Sequence, residues 1–374
     1  MFLPAGSRDE MGPAVSRRFQ VAEQFRKAAM LRGYKEISTP VVEYASTFTN
    51  EYVDMKLQNM MKWFNAEGEI EVLRPDWTTA IARALSNQEK KPQKWAYQGS
   101  VFKRSTPGLE YHQAGIEILH MPELMGDSEC LLMSRAFLTE IGAPGFVIEL
   151  GYAGIFEKLA GELDLSEPDN EKLRQAMHDK KKDEVLQIAS EYGKRDTAEE
   201  LADLVDAYGF LDILSQYEKR WRDRPELLGM LRHIGKVARI VQETGTEDIL
   251  VDLGRVKNLP YYSGIMFRGF LKETGAVCFS GGRYDRLYEQ FGEGISAVGL
   301  AFDVGVLAGQ MQEKEQVQRV CIIAEEESLA FAEKVRAELI DVIADVQSWN
   351  ADRSEYDRIL EIRNVDGKFE VLEK

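Results

Sequence analysis

Outside one helix-rich stretch, the β-type runs of this chain follow one another with few helices between them. A doubly wound parallel sheet needs a crossover helix between successive strands, so this order favours an antiparallel α+β core. Residues 15–33 place Val15, Phe19, Ala22, Phe25 and Ala29 on one helical face, with Gly33 as the C-terminal stop. YKEISTPVVEY (34–44) is β-rich but broken by Pro40, which belongs at an edge or a bend. A short strand is expected at 69–74, a helix from Thr78, and strands at 94–103 and 109–119 around the turn-rich RSTPG. Residues 127–142 read as a helix and 146–150 as a strand. From about 155 to 245 the composition turns charged and helix-favouring, a helical insert within a domain spanning 1–314. Strands resume at 247–254, 261–270 and 276–285, and a helix is expected over 297–311. Residues 315–374 read as a small α/β tail: a strand (319–324), a helix (327–343) and a hairpin turning at Asp366-Gly367.

Charge narrows the partners. Lys plus Arg is 47 against 63 Asp plus Glu, a net charge of −16 over 374 residues. A groove that neutralises phosphates shows a basic excess, so no nucleic-acid partner is expected. No apolar stretch approaches the ~20 residues of a membrane span. MFLPAGSRDE lacks the basic-then-apolar pattern of a signal peptide, so the expected location is cytoplasmic, with no membrane partner. Cys130, Cys278 and Cys321 form no CxxC and read as reduced structural thiols. His112, His120, His178 and His233 form no HxxxH pair, so no metal site is expected.

Three constellations could carry chemistry. In LEYHQAGIEIL a period of two puts Tyr111, Gln113, Gly115, Glu117 and Leu119 on one face. An amide and a carboxylate flanking a glycine floor could hold a small polar cation; the plainer alternative is a solvent-facing strand weakened by a glycine. In RPDWTT, Asp76 and Thr78 could together bind an ammonium group, or one of them is simply the helix N-cap. In YYSGIMF, read as a strand, Tyr261 and Tyr262 point to opposite faces and Gly264 shares that of Tyr262. A tyrosine beside a glycine can wall a pocket, or belong to an ordinary sheet core. FSGGRYD is neither a P-loop nor a dinucleotide fingerprint, and Lys180-Lys181-Lys182 reads as a solvated helix face.

Taken in order, these segments resemble the histidyl-tRNA synthetases, a class II aminoacyl-tRNA synthetase family. GSRDEMGPAVSRRF with RGYKEISTPVVEY is similar to its N-terminus and motif 1, LRPDWT to its LRPEGT, and WAYQGSVFKRSTPGLEYHQAGIEIL to motif 2. LPYYSGIMF and SGGRYDRL resemble the two histidine signatures, and ISAVGLAFDVGVL resembles motif 3. The likeness covers residues 1–311. It implies a class II synthetase-like sheet of six or seven antiparallel strands flanked by helices. It also implies a histidine pocket. Asp76, where the family has Glu, and Thr78 would hold the ammonium; Gln113 and Glu117 match on the motif 2 strand; Tyr261, Tyr262 and Tyr284 complete the set, with Glu117 and Tyr262 on the imidazole.

The ATP machinery departs from that pattern. The family's three arginines fall on Lys103, Lys257 and Val306, and the Asp of RGLDYY falls on Pro260. Lysine lacks the planar fork that grips phosphate bidentately, and valine has no charge at all. Only about 60 residues follow motif 3, a truncated anticodon-binding-like tail with EEE at 325–327. This combination resembles the ATP phosphoribosyltransferase regulatory subunits, the non-catalytic synthetase paralogues of histidine biosynthesis. The resemblance implies no catalytic residues and no cofactor. It implies a homodimer, built through motif 1, within a hetero-octamer of four regulatory and four short-form catalytic chains. There the regulatory chain activates the condensation of ATP with phosphoribosyl pyrophosphate and mediates feedback inhibition by L-histidine. The alternatives are an active histidyl-tRNA synthetase or another histidine-activating ligase; both need ATP, and Val306 weighs against both.

Overall fold

Pro13, whose missing N–H costs nothing at a helix start, opens α1 (Pro13–Leu31), and Gly33 at φ 78° ends it. The computed structural model describes residues 2–88, 90–104, 108–143, 145–245, 248–256, 261–291, 294–311, 317–350 and 352–374. The face of α1 that meets the core is Val21, Phe25, Ala28 and Ala29, an i, i+4, i+7, i+8 stripe. Phe19, expected on that face, is 62 % exposed.

β1 (Lys35–Glu36), β2 (Val42–Tyr44), α2 (Ser46–Thr49), β3 (Lys62–Phe64), β4 (Ile70–Leu73) and α3 (Trp77–Leu85) follow. Next come β5 (Gln93–Phe102), β6 (Glu110–Leu119), α4 (Glu123–Glu140) and β7 (Phe146–Tyr152). The insert is α5 (Ala153–Ala160), α6 (Glu167–His178), α7 (Lys182–Ser190), α8 (Arg195–Val205), β8 (Tyr208–Gly209), α9 (Asp212–Arg220) and α10 (Pro225–Gln242). β9 (Ile249–Asp252), β10 (Ile265–Leu271), β11 (Val277–Arg283), β12 (Ala297–Asp303) and α11 (Val304–Gln310) complete the first of two compact units, Met1–Met311.

Among the described residues the main sheet has nine strands, ordered β1-β5-β6-β12-β11-β10-β7-β9-β8. This exceeds the six or seven implied by the resemblance by the two-residue edge strands β1 and β8. The central pairings are antiparallel; β1 with β5 and β7 with β9 are parallel. The helix expected over 297–311 is instead strand then helix. β12 is paired on both sides, by β6 and β11, and Asp303 caps α11 by accepting from the Val306 N–H at 2.9 Å. The strand expected over 261–270 starts only at Ile265, so Tyr261 and Tyr262 precede it. One face of the sheet packs on α1, α4 and α11 through Phe25, Phe137, Phe279 and Phe302, whose rings meet edge-on at 4.9–5.8 Å.

The second unit, Gln312–Lys374, holds β13 (Arg319–Ile323), α12 (Leu329–Glu338), β14 (Ile343–Gln347), β15 (Arg358–Val365) and β16 (Lys368–Glu373). Its sheet runs β14-β13-β15-β16. The helix expected to reach 343 stops at Glu338, Asp341 adopts φ 57°, and the chain turns into β14. The β15–β16 hairpin turns at Asp366 (φ 49°) and Gly367 (φ 82°), the two positive φ values of a type I′ turn.

Candidate functional site

The opposite face of the central strands is built around a row of glycines. Across the sheet, Glu117 on β6 pairs with Gly299 on β12, Gly299 with Gly282 on β11, Gly282 with Met266 on β10, and Met266 with Gly151 on β7. The missing side chains are filled from elsewhere. A Cβ on Gly299 would collide with Glu117 Oε2, and one on Gly282 would lie 2.8 Å from the Tyr262 ring. A Cβ on Gly151 would come within 3.1 Å of Arg255. Gly115, expected from sequence to be an open floor, is covered: a Cβ there would collide with the Tyr97 hydroxyl. Tyr97 faces Gly115 directly in the β5–β6 register, so the ring lies over the vacant position.

Glu117 is fully buried. Its carboxyl accepts from Thr78 Oγ1 at 2.7 Å and from the Tyr284 hydroxyl. Burial pushes it up to about 8; the two hydroxyls pull it down, and Asp76 adds a further upward push. Asp76 also acts on Tyr97, Tyr261 and Tyr262, whose hydroxyls are pushed up mainly by burial. One acidic group therefore acts on all of them. The Asp76 carboxylate is also the N-cap of α3: Oδ2 accepts from Thr79 N and Thr79 Oγ1, both at 2.7 Å.

Tyr261 and Tyr262 do not take opposite faces. Outside the strand their rings lie 4.9 Å apart, and Tyr261 meets Tyr284 edge-on at 6.2 Å. Gln113 is half-buried on the face of Glu117, paired with Gly99 and Asp303. Asp76, Thr78, Glu117, Tyr261, Tyr262 and Tyr284 thus come together around one buried carboxyl, and Gln113 lies two pairs along the same strand. Sequence reasoning missed Tyr97, which hydrogen-bonds Thr78, and Trp77, which stacks on Tyr97 at 4.9 Å beneath the Arg74 guanidinium. A period-two reading of β5 against β6 would have found Tyr97 had the register of that hairpin been known.

The positions expected from the resemblance to correspond to a nucleotide site differ in kind. Lys103 is exposed just beyond β5, where its N–H donates to the Leu109 carbonyl at 2.9 Å. Val306 packs from α11 against the apolar core. Lys257 and Pro260 lie outside the described residues. Among the described residues, no helix is long and apolar enough to cross a membrane.

Comparison with known proteins bears on the family and the fold. The histidyl-tRNA synthetase family model matches residues 6–307. A protein of Thermoanaerobacter pseudethanolicus named ATP phosphoribosyltransferase regulatory subunit is 30 % identical, over 97 % of this chain and 99 % of its own. One of the same name from Caldanaerobacter subterraneus is 32 % identical over 84 % of each. Among solved structures, an ATP phosphoribosyltransferase regulatory subunit/histidyl-tRNA synthetase from Bacillus halodurans superposes with a TM-score of 0.83 at 23 % identity, over 96 % of this chain and 97 % of that one. A histidyl-tRNA synthetase from Nostoc does so with 0.78 at 17 % identity, over 100 % and 96 %. The fold is that of the class II histidyl-tRNA synthetases, and the chain belongs to the ATP phosphoribosyltransferase regulatory subunit family.

Proposed function

We propose that this chain is a non-catalytic subunit that binds L-histidine at Glu117 and passes that signal to a short-form ATP phosphoribosyltransferase catalytic subunit. The observation that supports the reading is the contrast between the buried polar cluster around Glu117 and the uncharged side chain at position 306. Glu117 can exchange a proton with an imidazole, and Tyr262 lies beside it. Asp76, Thr78 and Gln113 offer acceptors for an ammonium group. Adenylation would need fixed cations on the developing phosphate charge, and position 306 offers a valine.

Regulation then requires L-histidine to bind two assembly states with different affinity, since only that difference shifts an equilibrium. A coupling of ~1–3 kcal/mol is typical of allosteric sites and suffices for feedback. The assembly is a homodimer within a hetero-octamer of four regulatory and four catalytic chains. The tail from 315 onward is the remnant of an anticodon-binding domain.

The test mixes this chain with a short-form catalytic subunit and follows phosphoribosyl-ATP formation with and without L-histidine. Activity should rise on mixing and fall with histidine, and native mass should match four plus four chains. Calorimetry should show histidine binding that Glu117→Ala abolishes. No activation on mixing sinks the regulatory reading. Binding to neither the isolated chain nor the complex sinks the pocket.

A further inference from the structure

The pocket face and the helical insert meet through Arg283, a residue the histidine reading does not use. Arg283 is 3 % exposed at the end of β11. Its neighbour in sequence is Tyr284, whose hydroxyl donates to Glu117. Its carbonyl accepts from Ser263 N at 2.9 Å, next to Tyr262, and its side chain runs over Gly264, where a Cβ would meet Cδ at 2.9 Å. Asp285 N donates to Ser263 Oγ at 3.0 Å, joining the same two segments again. Both tyrosine-bearing segments of the pocket are therefore fixed to one residue.

The guanidinium leads the other way. Nη2 donates to Asp127 Oδ1 at 2.6 Å, and Nη1 to Ser296 Oγ at 2.7 Å and Asp285 Oδ1 at 3.1 Å. Asp127, on α4, has no exposed side-chain surface, and its Oδ2 lies 2.7 Å from Nε2 of His233 on α10. In the tautomer that carries its proton on Nε2, His233 donates to this carboxyl oxygen. Tyr152 packs its ring edge-on against His233 at 6.0 Å and donates to Glu123 at 3.3 Å. Glu123, Asp127 and His233 bring ligand atoms within 4.8 Å of one another, but the positive charge such a group would take is already supplied by Arg283.

We infer that Arg283, Asp127 and His233 form a positioning relay that couples the Glu117 pocket to α10 of the insert. Buried charge-assisted bonds in series polarise one another, so loosening one end relaxes the other. By linkage, a ligand that orders the tyrosines must order α10 by the same free energy that α10 lends the tyrosines. The relay itself is a property of the ligand-free chain; only its use in signalling rests on the histidine reading.

Hydrogen exchange of the full chain, read by mass spectrometry, tests it. Without ligand, His233→Ala should speed exchange over 261–265 and 282–286 about tenfold, the effect of losing a hydrogen bond to a charged group. Exchange in β5 should stay unchanged. His233→Gln, whose amide still donates to Asp127, should restore the wild-type rates. A purely structural histidine would loosen only α10, and wild-type rates at the two pocket segments in His233→Ala overturn the relay. If that variant fails to fold, Asp127→Asn, which keeps the side-chain shape, carries the same comparison. With saturating L-histidine, exchange over 229–237 should slow. Heat of binding without any change at 229–237 overturns the coupling. Absence of binding overturns the ligand reading, and the ligand-free rates still decide the relay.

Discussion

Around Glu117 each polar group is held by another: Thr78 and Tyr284 on the carboxyl, Tyr97 on Thr78, Thr79 on Asp76. Just beyond β5 and β12, at the positions where the family resemblance implied phosphate-binding cations, Lys103 stands in solvent and Val306 packs against apolar core. The difference teaches which of the two regions the fold itself holds in place. A buried polar network is costly to break, because each lost partner leaves another group unsatisfied. An exposed side chain such as that of Lys103 can be replaced with little effect on stability. The cluster around Glu117 thus has a folding role whether or not it binds a ligand, and predictions that separate folding from binding are the ones that sharpen the contrast.

The largest expected effect is at the phosphate end. Each missing cation typically costs ~3 kcal/mol of transition-state stabilisation. Histidine-dependent exchange between ATP and pyrophosphate should therefore stay at background at saturating histidine. A rate clearly above it would erase the contrast and return the chain to the synthetases.

Glu117→Gln comes next. It keeps the shape of the side chain and its bonding to Thr78 and Tyr284 but cannot exchange a proton with a ligand. L-histidine affinity should fall about 100-fold, within the range for truncating one partner of a buried charged pair. The pH profile should change as well. With the carboxyl at about 8 and a free imidazole near ~6.5, the two share one proton between those values, so wild-type affinity peaks there and falls on either side. The alkaline limb should vanish in Glu117→Gln. Stability follows the same sign. The folded carboxyl titrates above its unfolded value, so its contribution is full below the ordinary carboxylate range and is lost as pH rises through about 8. Melting curves should show the variant gaining on wild type between pH 5 and 9 (on the order of a few kcal/mol at most). Parallel curves would show that Glu117 is ionised throughout.

Two glycines set the ends of the site against each other more gently. Gly299→Ala would drive a Cβ into Glu117 Oε2 and to 2.9 Å from the Ile116 carbonyl oxygen. It should cost ~1–3 kcal/mol of overpacking and weaken histidine binding with it. On α11, a methyl group at Gly309 would meet nothing within 4 Å. Gly309→Ala should stabilise by ~0.4–1 kcal/mol and leave binding unchanged. Chemical denaturation of both variants checks the pair.

Much of the fold and the site is legible in the sequence, and the misses share a cause. The alternation of Gln113, Gly115 and Glu117 gives the face correctly because β6 is a ten-residue strand, long enough for period two to register. The YY pair misleads because the strand it precedes begins only at Ile265. AVGLAFD reads as helix because β12, buried on both faces, shows no alternation. Asp127 and His233 belong to no motif, and Arg283, though inside SGGRYDRL, gives no sign there of its partners; the three are 50 to 156 residues apart in pairs along the chain, and the packing of α4, α10 and β11 alone brings them together. Tyr97 over Gly115 likewise needs a hairpin register that the motif does not encode.

The smallest effect decides what Asp76 is for. Its carboxylate caps α3 through Oδ2, so the cap uses one oxygen and the structure alone supports either role. Asn caps nearly as well as Asp, whereas Ala forfeits ~1 kcal/mol. Asp76→Asn should therefore melt close to wild type and Asp76→Ala clearly below it. If the carboxylate also holds an ammonium, Asp76→Asn loses the charge and keeps the cap, and L-histidine affinity should drop about tenfold, the weight of a charge-assisted over a neutral hydrogen bond. A histidine analogue lacking the α-amino group should bind wild type and Asp76→Asn alike. Equal L-histidine affinity for both proteins would leave Asp76 a cap alone, and the ammonium would then fall to Gln113 and Thr78.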